Sequence, residues 1–341
     1  MTDAIVPPAL SLGRRGALFG VAGLCSAAGP AGFPPTATLF PSTATLLVSG
    51  PPGGQLDRWA DLVAPSLARA LPGSSRLARR TLGGVDGVTG ANNFDALVPP
   101  DGATALMVPG TAPLLWLAGD LRAQFDPSRW VLAWAALGPA VLLSRAPLAP
   151  GQPLHVPAPG AAGPALPMLL ALDLMGVQVR LLPPAAARSP DVDAVFLCGP
   201  GALAGVEAMR PAGLHPVLAL GTPDAAGVWG RDPAFPDLPT AVHQAGARLA
   251  PAALLAALRA TAAAVQMDAA LVLPELCPAG VAAAWRQAGA GITADPDTLT
   301  TAAAQGVRSG NVAMASAVLA AVVEGGPAIP ALREWIAAHY A

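Results

Sequence analysis

The chain has 341 residues, 53% of them hydrophobic and 12% charged, with a formal net charge of -2. That length accommodates two domains of ordinary size, and the slightly acidic balance argues against a nucleic-acid partner, whose footprint is a basic patch. All 19 residues in the combined Lys+Arg count are arginine, which excludes Schiff-base lysine chemistry and a P-loop phosphate lysine.

At the N-terminus, Arg14 and Arg15 precede an apolar segment, 16–24. The small residues Ser26, Ala27 and Ala28 follow, and then Pro30, Pro34 and Pro35. This order predicts an export signal over residues 1–28, of the twin-arginine or Sec type, and a periplasmic mature protein. Beyond it, Pro, Gly, Asp or Arg interrupts each apolar run before the roughly 18 residues that a membrane helix needs. Cys198 and Cys277 remain after cleavage, and their separation leaves open whether they pair. His155, His215, His243 and His339 are scattered at no metal-ligand spacing, so neither metal nor cofactor is expected.

In chain order, residues 45–49 read as a buried strand. A bare turn, Gly50-Pro51-Pro52-Gly53-Gly54, follows, and residues 56–71 read as a helix whose Leu56, Trp59, Ala60, Val63 and Leu67 recur at helical spacing. Glycines just before a helix bring unblocked N–H groups close to a ligand, and an anion suits that place. Asp57, at the helix start, also reads as a cap. A second turn with Gly83, Gly84, Gly87, Thr89 and Gly90 runs into a helix over 92–97. A strand over 103–108 then ends in Pro109-Gly110-Thr111. Residues 130–144 supply one or two more strands, and 147–153 reads as a linker.

The pattern then restarts: strand 154–156, turn 157–163, helix 164–175, strand 178–182, strand 193–197, a turn at Cys198-Gly199-Pro200-Gly201, helix 202–209 and strand 217–220. Residues 251–265 and 311–323 read as long helices, and the closing segment is amphipathic. Strand, glycine turn and helix in alternation predict an α/β fold with mostly parallel sheets, in which ligands lie beyond the carboxyl ends of strands.

The stretches LLVSGPPGGQLDRWADLVAPSLARAL, GGVDGVTGANNFDALVPPDGATALMVPGT, LHVPAPGAAGPALPMLLALDLMGV, VDAVFLCGPGAL and FPDLPTAVHQAG together resemble the substrate-binding proteins of tripartite tricarboxylate transporters, the Bug-type receptors, across nearly the whole mature chain. The resemblance implies a two-lobe periplasmic-binding-protein (Venus flytrap, type II) fold. Each lobe is a mostly parallel sheet flanked by helices, with lobe 1 formed by 38–145 plus 250–341 and a reduced lobe 2 by 146–249. It further implies a monomer that closes on a small organic carboxylate and delivers it to membrane transporter subunits. Carried onto this chain, the ligand-binding positions are Gly53, Gly54, Gln55 and Asp57, then Gly87, Thr89, Gly90 and Thr111. From the second lobe they are Gly160, Ala161, Ala162, Cys198 and Gly199.

Two departures stand out. The second-lobe loop 157–163 lacks the hydroxyls that the family carries there, and 144–154 is too short for the family's usual helix. Two other readings therefore stand beside the receptor. One is a degenerate binding protein acting as a sensor or interaction module. The other is an exported enzyme, for which the sequence offers no nucleophile elbow, no supported acid/base pair and no metal cluster.

Overall fold

The computed structural model describes residues 40–72, 76–248 and 250–340; the predicted export signal lies outside them. Strand β1 (Thr43–Ser49) is buried from Leu46 onward, as a strand inside a sheet must be. It leads into α1 (Gln55–Ala70), which buries Leu56, Trp59, Ala60, Val63 and Leu67 along one face. Next come β2 (Arg76–Leu82), α2 (Val88–Leu97), β3 (Thr104–Val108) and α3 (Thr111–Ala118). The apolar run after residue 130 divides into β4 (Trp130–Leu137) and β5 (Ala140–Ser144).

A second series follows: β6 (Leu154–Pro157), α4 (Leu166–Leu174), β7 (Val179–Leu182), β8 (Ala194–Cys198), α5 (Ala202–Met209) and β9 (His215–Ala219). The short strands β10 (Thr222–Pro223) and β11 (Trp229–Gly230) pair with each other, and α6 (Ala241–Gly246) comes next. The chain returns through α7 (Ala252–Gln266) straight into β12 (Met267–Pro274). It ends with α8 (Ala279–Ala294), α9 (Pro296–Ala304), β13 (Arg308–Gly310), α10 (Val312–Glu324) and α11 (Ile329–Tyr340).

The larger sheet has the order β13-β4-β12-β3-β1-β2. Strand β1 pairs parallel with β2 and β3. Strand β12 runs antiparallel to both β3 and β4, so β4 points the same way as β1 to β3, and β13 closes the edge antiparallel to β4. In the second region β5 lies between β8 and β9, antiparallel to each, while β6 and β7 pair parallel. The Asp193 N–H donates to the His155 carbonyl at 3.1 Å, which ties β6 to the start of β8. Each layer thus has one inserted strand running against its neighbours, β12 in the first and β5 in the second.

Passage from one layer to the other is tight. Gly138 N–H donates to Gln266 O at 2.8 Å and Gly199 N–H to Pro139 O at 2.9 Å. A Cβ on Gly138 would meet Gly199 Cα at 2.6 Å, so a side chain there would push the two layers apart.

The core occupies both faces of the larger sheet. On one, Trp59 and Trp134 meet edge to face with ring centroids 5.6 Å apart, beside Val48, Leu271 and Trp285. On the other, α7 packs against α3 and α10, and also against α4 of the second layer, through its buried alanines. Alanine at these positions lets the helices approach closely without cavities. The helical run Val312–Tyr340 is long and apolar enough to cross a membrane by composition. Here it is interrupted at Gly326–Ala328, and Val318, Leu319, Val322, Leu332 and Trp335 are buried in the core.

Helix α2 begins at Val88, four residues before the expected position, because Gly87 takes the left-handed conformation (φ 80°) and starts it there. Strand β2, with the sequence RLARRTL, has no apolar alternation to announce it; its seven-residue register with β1 makes it a strand. Trp134 is fully buried and its indole N–H donates to Ser309 Oγ at 2.9 Å. Trp134→Ala is therefore expected to cost about 3–5 kcal/mol, read as a lowered urea midpoint with an unchanged slope.

Candidate functional site

Three turns at the carboxyl ends of strands converge, as an open α/β sheet requires of a ligand site. Gly50, Pro51 and Gln55 follow β1, Pro109 to Thr111 follow β3, and Cys198 to Pro200 end β8. With Val265, Met267 and Asp268 at the α7–β12 junction they enclose a cavity of about 250 Å³. Larger hollows exist. One of about 580 Å³ lies beside Arg145 and His215, at the opposite end of β9, and another of about 560 Å³ lies between Trp229 and α10. Neither gathers the glycine turns that the alternating α/β pattern places at the strand ends.

Of the expected positions, Gln55, Thr111, Cys198 and Gly199 line the cavity. Gly53 and Gly54 flank it with their N–H groups already used: Gly53 donates to Asp57 Oδ2 at 2.7 Å and Gly54 to Pro51 O at 3.0 Å. Asp57 is buried and faces away, its Oδ1 meeting Arg79 at 2.8 Å and Thr81 Oγ1 at 3.3 Å. It braces the loop and joins α1 to β2. Gly87 accepts a hydrogen bond from Ser49 Oγ at 2.7 Å. A Cβ on Gly90 would sit 2.1 Å from Ser49 Oγ, so Gly90 lets α2 lie on β1. Thr89 lies against Gly84, 3.2 Å from where a Cβ would stand. The Thr111 hydroxyl donates to Asp86 O at 3.0 Å. Gly160, Ala161 and Ala162 are not in the cavity wall, to which their segment contributes Pro164.

Asp268 carries no sequence signature beyond being a lone acid in the run AAAVQMDAALVL. The reversed strand β12 places it in the cavity wall. Trp59 Nε1 donates to its Oδ2, and Gln55 Nε2 donates to the same oxygen at 3.3 Å. Arg58 holds Gln55 in turn, donating to its Oε1 at 2.6 Å and to Gly53 O at 2.8 Å. Burial pushes the Asp268 carboxyl up to about 6, against the hydrogen bonds from Trp59 and Gln55 and the charge of Arg58, which act the other way.

Across the cavity, burial and then the negative charge of Asp268 push the Cys198 thiol up to about 12. Cys198 and Cys277 are both free thiols. The remaining wall is largely apolar, with Leu56, Val85, Pro109, Pro164, Val265 and Met267. Among the described residues, no group of three or more His, Cys, Asp or Glu is placed to hold a metal.

No protein-family model and no curated protein matches the sequence. Solved structures do. A TctC solute-binding protein from Polaromonas, 15% identical, superposes with a TM-score of 0.64 over 86% of this chain and 98% of that one. The periplasmic binding protein BugD is 17% identical, with a TM-score of 0.52 over 87% and 98%. MatC of Rhodopseudomonas palustris, solved with bound malate, is 20% identical, with a TM-score of 0.51 over 85% and 100%. The chain has the two-lobe periplasmic solute-binding fold. The cavity lies between the larger sheet and the second layer, at the carboxyl ends of β1, β3 and β8.

Two measurements check the electrostatics of this cleft. A carboxyl raised from 3.8 to about 6 holds its proton more tightly in the folded state, so its contribution is complete below pH 4 and is lost as pH rises through 6. Asp268→Asn is therefore expected to be more stable than the parent at pH 7 by on the order of 2 kcal/mol, a gap that closes by pH 4. The same Tm difference at both pH values would refute the assignment. Second, native Cys198 should react with iodoacetamide at pH 8 at least tenfold more slowly than it does in the urea-unfolded chain, since its thiolate is scarce. Equal rates would show an open, ordinary thiol.

Proposed function

We propose that this chain is an exported, non-enzymatic receptor that captures a small organic acid between its lobes and delivers it to a tripartite tricarboxylate-type membrane transporter. The observation that carries this reading is the cavity itself. Its wall combines the β1 and β3 turns of the larger sheet with Cys198, Gly199 and Pro200 of the second. A ligand touching all of them favours the closed arrangement, and only a difference in contacts between open and closed states can drive closure.

The crossings at Gly138-Pro139 and Gln266-Met267 supply the hinge; because β5 pairs with β8 and β9, it moves with the second lobe, which in this reading begins near residue 139 rather than at 146. The first-turn N–H groups of α1 and the Thr111 N–H of α3 supply donors for an acid; in α3 the Ala112 N–H is taken by Pro109 O and Pro113 has none. Export follows from residues 1–28. Against catalysis stands the chemistry of the wall: its one carboxyl, Asp268, faces a thiol held in its protonated form rather than a second acid or base. A sensor without transport is the second reading, favoured by the hydroxyl-free loop 157–163, which sends only Pro164 to the cavity.

The test is a thermal-shift screen of the mature protein against mono-, di- and tricarboxylates, amino acids and sugars. A receptor gives a Tm that climbs with the logarithm of ligand concentration, by the linkage that any native-state ligand obeys. A flat response across all classes would leave only the sensor or interaction reading.

A further inference from the structure

The cleft contains a charge of the wrong sign for a simple anion. Among the described residues its wall includes one carboxylate, Asp268, and no arginine or histidine; the chain has no lysine to offer. The arginine nearest in the network, Arg58, is turned to Gln55 and to the Gly53 carbonyl. Several glycine-turn N–H groups that would hold a carboxylate are consumed within the protein, Gly53 by Asp57, Gly54 by Pro51, Gly110 by Met267 and Gly199 by Pro139. A di- or tricarboxylate closed into this volume would set a second negative charge against Asp268 in a partly desolvated space, where like charges repel far more than in water.

Asp268 is also positioned as an acceptor. Both hydrogen bonds that it receives fall on Oδ2. Oδ1 is directed across the cleft, 4.0 Å from where a Cβ on Gly199 would stand. Trp59 and Gln55 therefore fix the carboxylate from behind and leave its other oxygen toward the cavity, bounded by the second-lobe turn. An ammonium fills such a place, because it supplies donors and the opposite charge together.

Resting on the receptor reading above, we propose that the ligand is an amino-bearing organic acid, a small zwitterion whose ammonium group pairs with Asp268 Oδ1 when the lobes close. The acid end lies toward the first turn of α1 and Thr111, and the apolar wall of Leu56, Val265 and Met267 takes the body between. Asp268 is then the residue that separates this protein's ligand from a plain dicarboxylate.

The experiment titrates the mature protein by calorimetry at pH 7.5 with chemically matched probes: L-alanine against lactate, 4-aminobutyrate against butyrate and glutarate, the remaining common amino acids, and putrescine. It repeats the series on Asp268→Asn, with circular dichroism confirming that the variant folds. The expected result is that an amino acid binds at least tenfold tighter than its amine-free partner. That preference should fall by about tenfold to a hundredfold in Asp268→Asn, the loss of one charge-assisted contact.

Binding of lactate, butyrate or glutarate equal to or tighter than the amino acids, unweakened or improved in the variant, would overturn the proposal and leave the receptor standing. Putrescine binding as well as the amino acids would keep the Asp268 contact and overturn the acid half. Silence from every probe, together with a flat carboxylate and sugar screen, would sink the receptor reading and this inference with it. Silence here beside a carboxylate response there would sink the inference alone.

Discussion

Strand β12 runs backwards between β3 and β4 and hydrogen-bonds to both, so the larger sheet is joined through a strand that arrives late in the chain. A strand in that position is buried on both faces, and Met267 to Leu273 is accordingly apolar apart from Asp268. The strand follows α7 without a loop, which places Gln266 and Met267 at the contact between lobes. Their carbonyls receive the N–H groups of Gly138 and Gly110. Sheet integrity, the crossing between the two layers and the floor of the cavity therefore depend on the same few residues.

That arrangement decides the electrostatics. Asp268 is the one interruption of an apolar strand, and it sits where the strand meets the cleft. Its neighbours do not neutralise it with a direct ion pair; an indole, a carboxamide and an arginine at one remove support it instead. Burial raises its proton affinity and it raises that of Cys198 in turn. A half-buried acid that the fold holds without an opposite charge is a cost to stability, and acids perturbed in this way cluster at functional sites.

The glycines illustrate how packing and binding compete for the same sequence signal. Gly87 and Gly90 look like a ligand loop, yet Gly90 is small because Ser49 occupies the space beside it, and Gly87 takes a positive φ to start α2. Gly138 is small because Gly199 lies on it. Close approach of backbone to backbone and close approach of backbone to ligand demand the same residue, and only the surroundings tell them apart.

By itself the sequence determined the alternation of strand, glycine turn and helix, and the α/β class. Local periodicity and turn chemistry reach that far, because both act over a few neighbouring residues. Of the positions the sequence singled out, Gln55, Thr111, Cys198 and Gly199 line the cavity, since turns after strands gather there. Strand β2, the reversed strand β12 and the role of Asp268 were decided by tertiary structure. Pairing with β1 made RLARRTL a strand, and pairing between β3 and β4 carried residue 268 from a helix–strand junction into the cleft, more than two hundred positions from the Gln55 and Trp59 that hold it. Contacts across such distances are set by how whole elements pack, and no local pattern of residues encodes them.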